Sequence, residues 1–194
     1  MSSRSEIRSR LRQQRQALSR AARVSSAKQV ARRFAASRLF RAARRIAIYL
    51  PHDCELDLTP LLRRAWERGK TCYLPVLRGK RLGFALYRRG GVLSLNRFGI
   101  PEPALPACQR VGALALDLIL VPLVAFDAQG NRLGMGAGFY DRTLAARARR
   151  THWRWPRLIG VAYEFQQVAK LAPAPWDVPL DGVVTPAHWH IMTP

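Results

Sequence analysis

Apolar residues recur along this chain with two different periods. Ile7, Leu11 and Leu18 stand at spacings of four and seven, a helical stripe over residues 5–18, and Arg4, Arg8, Arg12 and Arg15 fall on a separate face. Val30, Phe34 and Leu39 predict a second helix over 25–40. From Arg45 the pattern changes to short β-branched and aromatic runs, which predict strands over 45–50, 71–77, 82–87, 116–122, 157–163 and 182–185. Helices predicted over 57–68, ended by Gly69, and over 140–150 alternate with them. Such alternation predicts an α/β fold: one three-layer domain over residues 1–194, a mainly parallel twisted sheet flanked by helices, with amphipathic helices at the N-terminus. Ligands of such sheets bind at the carboxyl ends of strands, so the loops after Leu50 and Phe126 form one site if their strands are parallel neighbours.

Composition narrows the class. The chain has 194 residues, 48% of them hydrophobic, and no apolar run long enough to span a membrane. No repeat or low-complexity tract interrupts it. No apolar signal-peptide core stands near the start, and Cys54, Cys72 and Cys108 lack paired spacing, so a reducing cytoplasm is expected. A net charge of +21 raises the possibility of a basic RNA-binding module. Only Lys28, Lys70, Lys80 and Lys170 are lysines, however, and this arginine bias, beside many Ala and Pro, reads as genomic base composition. Residues 1–45 carry 13 arginines and Lys28 against Glu6 alone, so the positive charge is concentrated at the N-terminus. The plain reading of the first arginine face is a solvated one, from which one or two side chains reach a bound nucleotide.

The segment 130–141 reads G-N-R-L-G-M-G-A-G-F-Y-D and follows the apolar run 116–126. Gly134, Gly136 and Gly138 keep alternate positions free of Cβ atoms, so backbone N–H groups can close on an anion. The helix that follows adds its N-terminal amides and dipole, and Arg132 and Arg142 bracket the segment. Neither the Walker A nor the dinucleotide pattern is present. On these residues alone the segment is a phosphate cradle or a glycine-rich turn without ligand.

Other pieces join it: Arg4-x-x-x-Arg8, Tyr49-Leu50-Pro51 followed by Glu55, Gly69-Lys70, Phe98-Gly99-Ile100-Pro101-Glu102-Pro103, Asp117-x-x-x-Val121-Pro122, and the closing Phe139-Tyr140-Asp141-Arg142. Together, from Arg4 to Thr185, they resemble the 5-formyltetrahydrofolate cyclo-ligase (methenyltetrahydrofolate synthetase) family. The chain departs from the family pattern at Arg4, where lysine is usual, and at Phe139, where tyrosine is usual. It departs also at Leu123, often glycine, and at Met135, often aromatic or basic. The resemblance implies closure of 5-formyltetrahydrofolate to 5,10-methenyltetrahydrofolate with ATP and Mg²⁺. The formyl oxygen would attack the γ-phosphate and N10 would then displace phosphate, so no protein nucleophile is needed.

It also implies roles. Arg4, Arg8, Arg132, Leu133, Gly134, Met135, Gly136, Ala137, Gly138, Phe139 and Tyr140 would hold ATP, with Arg132 and Tyr140 nearest the chemistry. Leu50, Glu55, Met135, Gly136, Ala137, Gly138 and Phe139 would hold the folate. Asp141 and Asp177 would hold Mg²⁺, although Asp141 also suits a helix N-terminal charge, Tyr140 suits packing under the loop, and Leu50 suits the core. Arg132→Ala is then expected to lower phosphoryl transfer far more than stability. The expected partner is the folate substrate, with no nucleic acid, no membrane and a monomeric chain.

Three other features carry less. His188-Trp189-His190 offers too few ligands for a metal site. Trp153 and Trp155 suit nucleobase stacking or a loop clamp. Asp53 and Glu55 suggest an acid–base pair only if a cleft separates them suitably.

Overall fold

A computed structural model describes residues 3–149 and 155–192. Two helices open the chain: α1 (Arg4–Gln16), started by Ser3 and Glu6 in a reciprocal capping box, and α2 (Arg20–Ala35), capped by the Ser19 hydroxyl. The expected single helix over 25–40 is divided. Ser37 accepts from the Phe40 amide and starts a separate short helix, α3 (Arg38–Ala42), because an N-capping serine ends one helix as readily as it begins the next.

Strand β1 (Arg45–Ala47) leads to α4 (Thr59–Glu67), which begins two residues later than expected because Asp57 takes the Thr59 amide in a turn. Gly69, at φ +66°, stops it as the sequence predicts. Next come β2 (Thr71–Arg78) and β3 (Arg81–Leu86), then β4 (Leu93–Leu95), β5 (Pro101–Pro103) and β6 (Arg110–Val111). Strands β7 (Leu118–Pro122), β8 (Ala125–Phe126) and β9 (Arg132–Leu133) precede α5 (Phe139–Ala148). The chain closes with β10 (Arg157–Val161), β11 (Gly182–Val184) and β12 (Trp189–Ile191). Arg150 and Trp153 lie outside the described residues.

Eight strands form the main sheet in the order β12-β11-β10-β7-β1-β2-β3-β6. The five from β11 to β2 are parallel, and β12, β3 and β6 add antiparallel edges. The mainly parallel, three-layer α/β arrangement is therefore as the hydrophobic pattern predicts, with β3 as an antiparallel strand. One face of the sheet buries Ile46, Leu118, Leu120, Ile159 and Val184 against α2, α3 and α4. The other buries Ile119, Val121, Leu158 and Val183 with Leu144 of α5. Gly160 of β10 leaves the space that Leu123 and Leu180 fill, since a Cβ there would lie 2.7 Å from each. No helix among the described residues is long and apolar enough to cross a membrane.

Candidate functional site

Strands β1 and β7 are parallel neighbours, so the chain leaves both at the same edge of the sheet. After β1 comes Tyr49-Leu50-Pro51; after β7 come Leu123 and the β8–β9 hairpin. That hairpin is fixed by Asp127, whose buried carboxylate accepts from the amides of Gln129, Asn131 and Leu171 and from the Asn131 side chain. Residues 130–133 are thus the hairpin's return, and the exposed glycine loop begins at Gly134. It runs to Gly138, whose φ of +64° turns the chain into α5.

Between these segments lies a cavity of about 620 Å³. Of the expected site residues, Arg4, Arg8, Leu50, Glu55, Arg132, Gly134, Met135, Gly136, Ala137, Gly138, Phe139, Tyr140, Asp141 and Asp177 all line it. Leu133 does not: its side chain is buried against Ile7, Leu11 and Val124, because in β9 alternate residues face opposite sides. Arg142 is likewise absent from the wall. Its guanidinium donates to the carbonyls of Lys80 and Ala137 and lies over the Phe139 ring, so it braces the loop from outside.

Helix α1 stitches three walls together. Arg4 pairs with Asp177 at 2.9 Å and also donates to the Ala172 carbonyl, and Arg8 donates to the Gly134 carbonyl at 2.9 Å. Arg12, Arg15 and Gln16 all donate to the Asp53 carboxylate, at 2.8, 2.7 and 2.6 Å. The basic face expected to be solvated is therefore tied to partners within the protein, and its Arg15 is only 1% exposed. Burial works to raise the Asp53 carboxyl, but the bonds from Arg12, Gln16 and Arg15 outweigh it and hold the pKa at about 2. The stabilising contribution of this cluster is complete above the ordinary aspartate pKa and is lost as pH falls through about 2. Asp53→Ala would leave the Arg15 guanidinium buried without its carboxylate, so urea unfolding should report a loss of about 3 kcal/mol. An unchanged midpoint would show that the cluster contributes nothing.

The same clamp presents Glu55. Asp53 and Cys54 both have positive φ, +48° and +58°, which non-glycine residues adopt only where the surroundings hold them. The turn closes when the Glu55 amide donates to the His52 carbonyl and the His52 amide donates to Glu55 Oε2. Burial pushes the Glu55 carboxyl up to about 7, against the opposing pull of Arg15 and of the His52 amide. Burial, followed by the nearness of Glu55, also raises the Tyr140 phenol well above its ordinary value, so Tyr140 is a neutral hydroxyl at physiological pH. Asp53 itself lies in the clamp rather than across the cavity from Glu55, so the two are not an acid–base pair.

Arg132 sits deeper than a phosphate ligand alone would require. Its side chain is 4% exposed, with one nitrogen on Asp141 Oδ1 and another on the Val178 carbonyl. Asp141 Oδ1 also accepts from the Val178 amide, while the bonds to Asp177 fall on its Oδ2. Both residues line the one cavity and each carboxylate keeps a second oxygen outside these bonds, a donor type that suits a hard divalent cation.

Part of the cavity wall is apolar. Leu74, Pro75 and Leu77 of β2 contribute to it, with Phe98, Ile100 and Pro101 from the segment around β4 and β5. Phe98 meets the Phe139 ring edge-on at 5.8 Å. Glu102 holds this segment on β2 by accepting from the Leu77 amide and the Asn96 side chain. Phe98, Ile100 and Glu102 were legible only as parts of the F-G-I-P-E-P motif. Trp176, 71% exposed at the rim, carries no comparable sequence signal.

Comparison with known proteins decides the family. The chain matches the 5-formyltetrahydrofolate cyclo-ligase family over residues 1–186. It belongs to that family. A 5-formyltetrahydrofolate cyclo-ligase of Escherichia coli strain K12 is 42% identical over 150 residues, spanning 75% of this chain and 79% of the relative. One from Mycolicibacterium smegmatis is 34% identical over 189 residues, spanning 95% and 94%. An NMR structure of the Aquifex aeolicus 5,10-methenyltetrahydrofolate synthetase superposes with a TM-score of 0.83 at 33% identity, covering 97% of this chain and 92% of that one. The cyclo-ligase fold is thus the fold of this chain, and a ligase of folate metabolism is its class. The RNA-binding alternative gains no support from these relatives, and Arg12 and Arg15 are engaged by the Asp53 carboxylate. Of the departures from the cyclo-ligase pattern, Arg4 lines the cavity, and Leu123 on the cavity wall is accommodated by the missing side chain of Gly160.

Proposed function

We propose that this chain, acting as a monomer in the cytoplasm and folding as one domain, uses ATP and Mg²⁺ to close 5-formyltetrahydrofolate to 5,10-methenyltetrahydrofolate. One observation carries the reading: a single cavity joins a cationic, glycine-lined set of residues to an apolar set with the carboxylate of Glu55. The first suits a triphosphate and the second a reduced pterin.

In this reading Arg4, Arg8 and the amides of Gly134 to Gly138 hold the phosphates, and Asp141 with Asp177 holds Mg²⁺. Bound there, the cation would neutralise charge on the phosphate oxygens. Leu50, Met135 and Phe139 give the pterin apolar contact, and Glu55 accepts its N–H groups. A formamide carbonyl is a poor leaving group. Transfer of the γ-phosphoryl group to the formyl oxygen, with ADP leaving, makes it a good one; N10 then attacks the formyl carbon and gives up its proton, and the C–O bond breaks with loss of phosphate. The protein's work is alignment and charge stabilisation. Tyr140, as a neutral phenol, can donate a hydrogen bond to an oxygen that gains charge.

The direct test is near-ultraviolet absorbance of the methenyl product. Absorbance should rise only when 5-formyltetrahydrofolate, ATP and Mg²⁺ are all present, and folded protein that gives no rise would end the proposal. A second prediction concerns pH. An ionised Glu55 is the better acceptor, so KM for the folate should fall as pH rises through about 7, and Glu55→Gln should flatten that profile. The sign for stability is the reverse: the raised pKa favours the fold below the ordinary glutamate value and loses that benefit as pH rises through about 7. A parallel pH dependence in Glu55→Gln would exclude Glu55 from folate binding.

A further inference from the structure

Among the described residues, another set of donor side chains meets outside the cavity. His188 and His190 flank Trp189, and on an extended segment residues two apart share a face. Trp189 points the other way and stacks on Phe34, with ring centroids 5.3 Å apart. The two histidines are too few to hold an ion by themselves, but the fold supplies a third donor. Glu164 opens the turn that follows β10, and one donor atom from each of Glu164, His188 and His190 lies within 4.8 Å of the other two.

We propose that Glu164, His188 and His190 form a site for a Zn²⁺-class divalent ion, distinct from the Mg²⁺ of the cavity. Glu164 Oε2 stands 3.3 Å from His188 Nδ1. Two ligands on bonds of about 2.1 Å in a tetrahedron are separated by about 3.4 Å, so this pair already spans one edge of such a site. The carboxylate is aimed by its other oxygen, which accepts from the Ala187 amide at 2.7 Å, the kind of support that orients a metal ligand. His190 packs edge-on to Phe126 and has an enclosed nitrogen, Nε2, with no hydrogen-bond partner, so its ring has donor capacity the protein does not use. Burial lowers its pKa, which favours the neutral, ligating imidazole. Two imidazoles with one carboxylate are a donor set for Zn²⁺ and its first-row neighbours rather than for Mg²⁺, which takes oxygen. None of the three residues lines the catalytic cavity. An ion here would tie the edge strand β12 to the segment after β10, leaving a fourth position for water.

The test is titration of the metal-stripped full chain with Zn²⁺ by calorimetry, in millimolar Mg²⁺. One Zn²⁺ per chain should bind, and Mg²⁺ should not displace it. His188→Ala alters a side chain that is 68% exposed, so its fold should persist, and it should weaken Zn²⁺ binding by about tenfold or more, as should Glu164→Gln. Zn²⁺ should raise the melting temperature of the parent and leave that of His188→Ala unmoved. Co²⁺ substitution separates this site from Cys54 and Cys108 by the absence of a thiolate charge-transfer band. Unsaturable binding, equal binding by His188→Ala, or a thiolate band would each overturn the proposal.

Discussion

Gly136→Ala is expected to lower kcat/KM for cyclisation by about a hundredfold while leaving the melting temperature close to that of the parent. Gly136 has φ of +108°, far from any conformation comfortable for a residue with a Cβ. Space is not the obstacle, since the nearest heavy atom to an added Cβ is Arg8 Cζ at 4.0 Å. The cost is in the backbone, of order 1–3 kcal/mol, and an exposed loop relieves it by shifting locally rather than by unfolding the sheet. Such a shift moves the amides proposed to hold the phosphates, and displacement by about 1 Å is enough for a loss of this size. Gly134→Ala is the control: it has neither a positive φ nor a neighbour within 4 Å of the added atom, and should retain most activity. Steady-state kinetics with calorimetric melting decides the matter. Parent-like kcat/KM in Gly136→Ala would remove the loop amides from the mechanism.

Arg132→Ala should lose both activity and stability, the latter by about 3–5 kcal/mol. Seen as a loop residue in the sequence, Arg132 is expected to affect phosphoryl transfer far more than folding. Its burial changes that expectation. Truncation takes the cation from Asp141 and a donor from the Val178 carbonyl, at a point where β9, α5 and the segment before β11 meet. Breaking one side of a largely buried ion pair is costly because the remaining charge, on a side chain 20% exposed, is only partly rehydrated. The Asp141 oxygens would also swing away from the position proposed for Mg²⁺. Chemical denaturation beside initial-rate measurement separates the two effects, and a variant with parent stability would return Arg132 to a purely catalytic role.

The sheet was legible in the sequence because buried parallel strands are continuous apolar runs: 45–50, 116–122 and 157–163 each contain the observed strand. The glycine loop was legible because its spacing has few other uses. The short strands β4, β5, β6 and β12 were not, since each has only two or three residues, too few to show an alternating pattern of their own. The division of 25–40 turned on a single hydroxyl at Ser37, which a period-based reading passes over. The pairing of the α1 arginines was hidden for a different reason. Their partner Asp53 lies 41 positions from Arg12 and 38 from Arg15, and charge counting along the chain cannot pair residues at that separation. Arg132 looked exposed because a loop sequence does not disclose which of its residues the hairpin folds beneath it.

Helix α1 contributes no strand to the sheet, yet it touches the glycine loop, the Asp177 segment and the Asp53 turn at once. A protease cut in the link at residues 17–19 would therefore release the clasp and, with it, the cover that Ile7 and Leu11 give Val124, Leu133 and Leu171. The trimmed protein would lose stability together with turnover, since the Asp53 clamp goes with the helix.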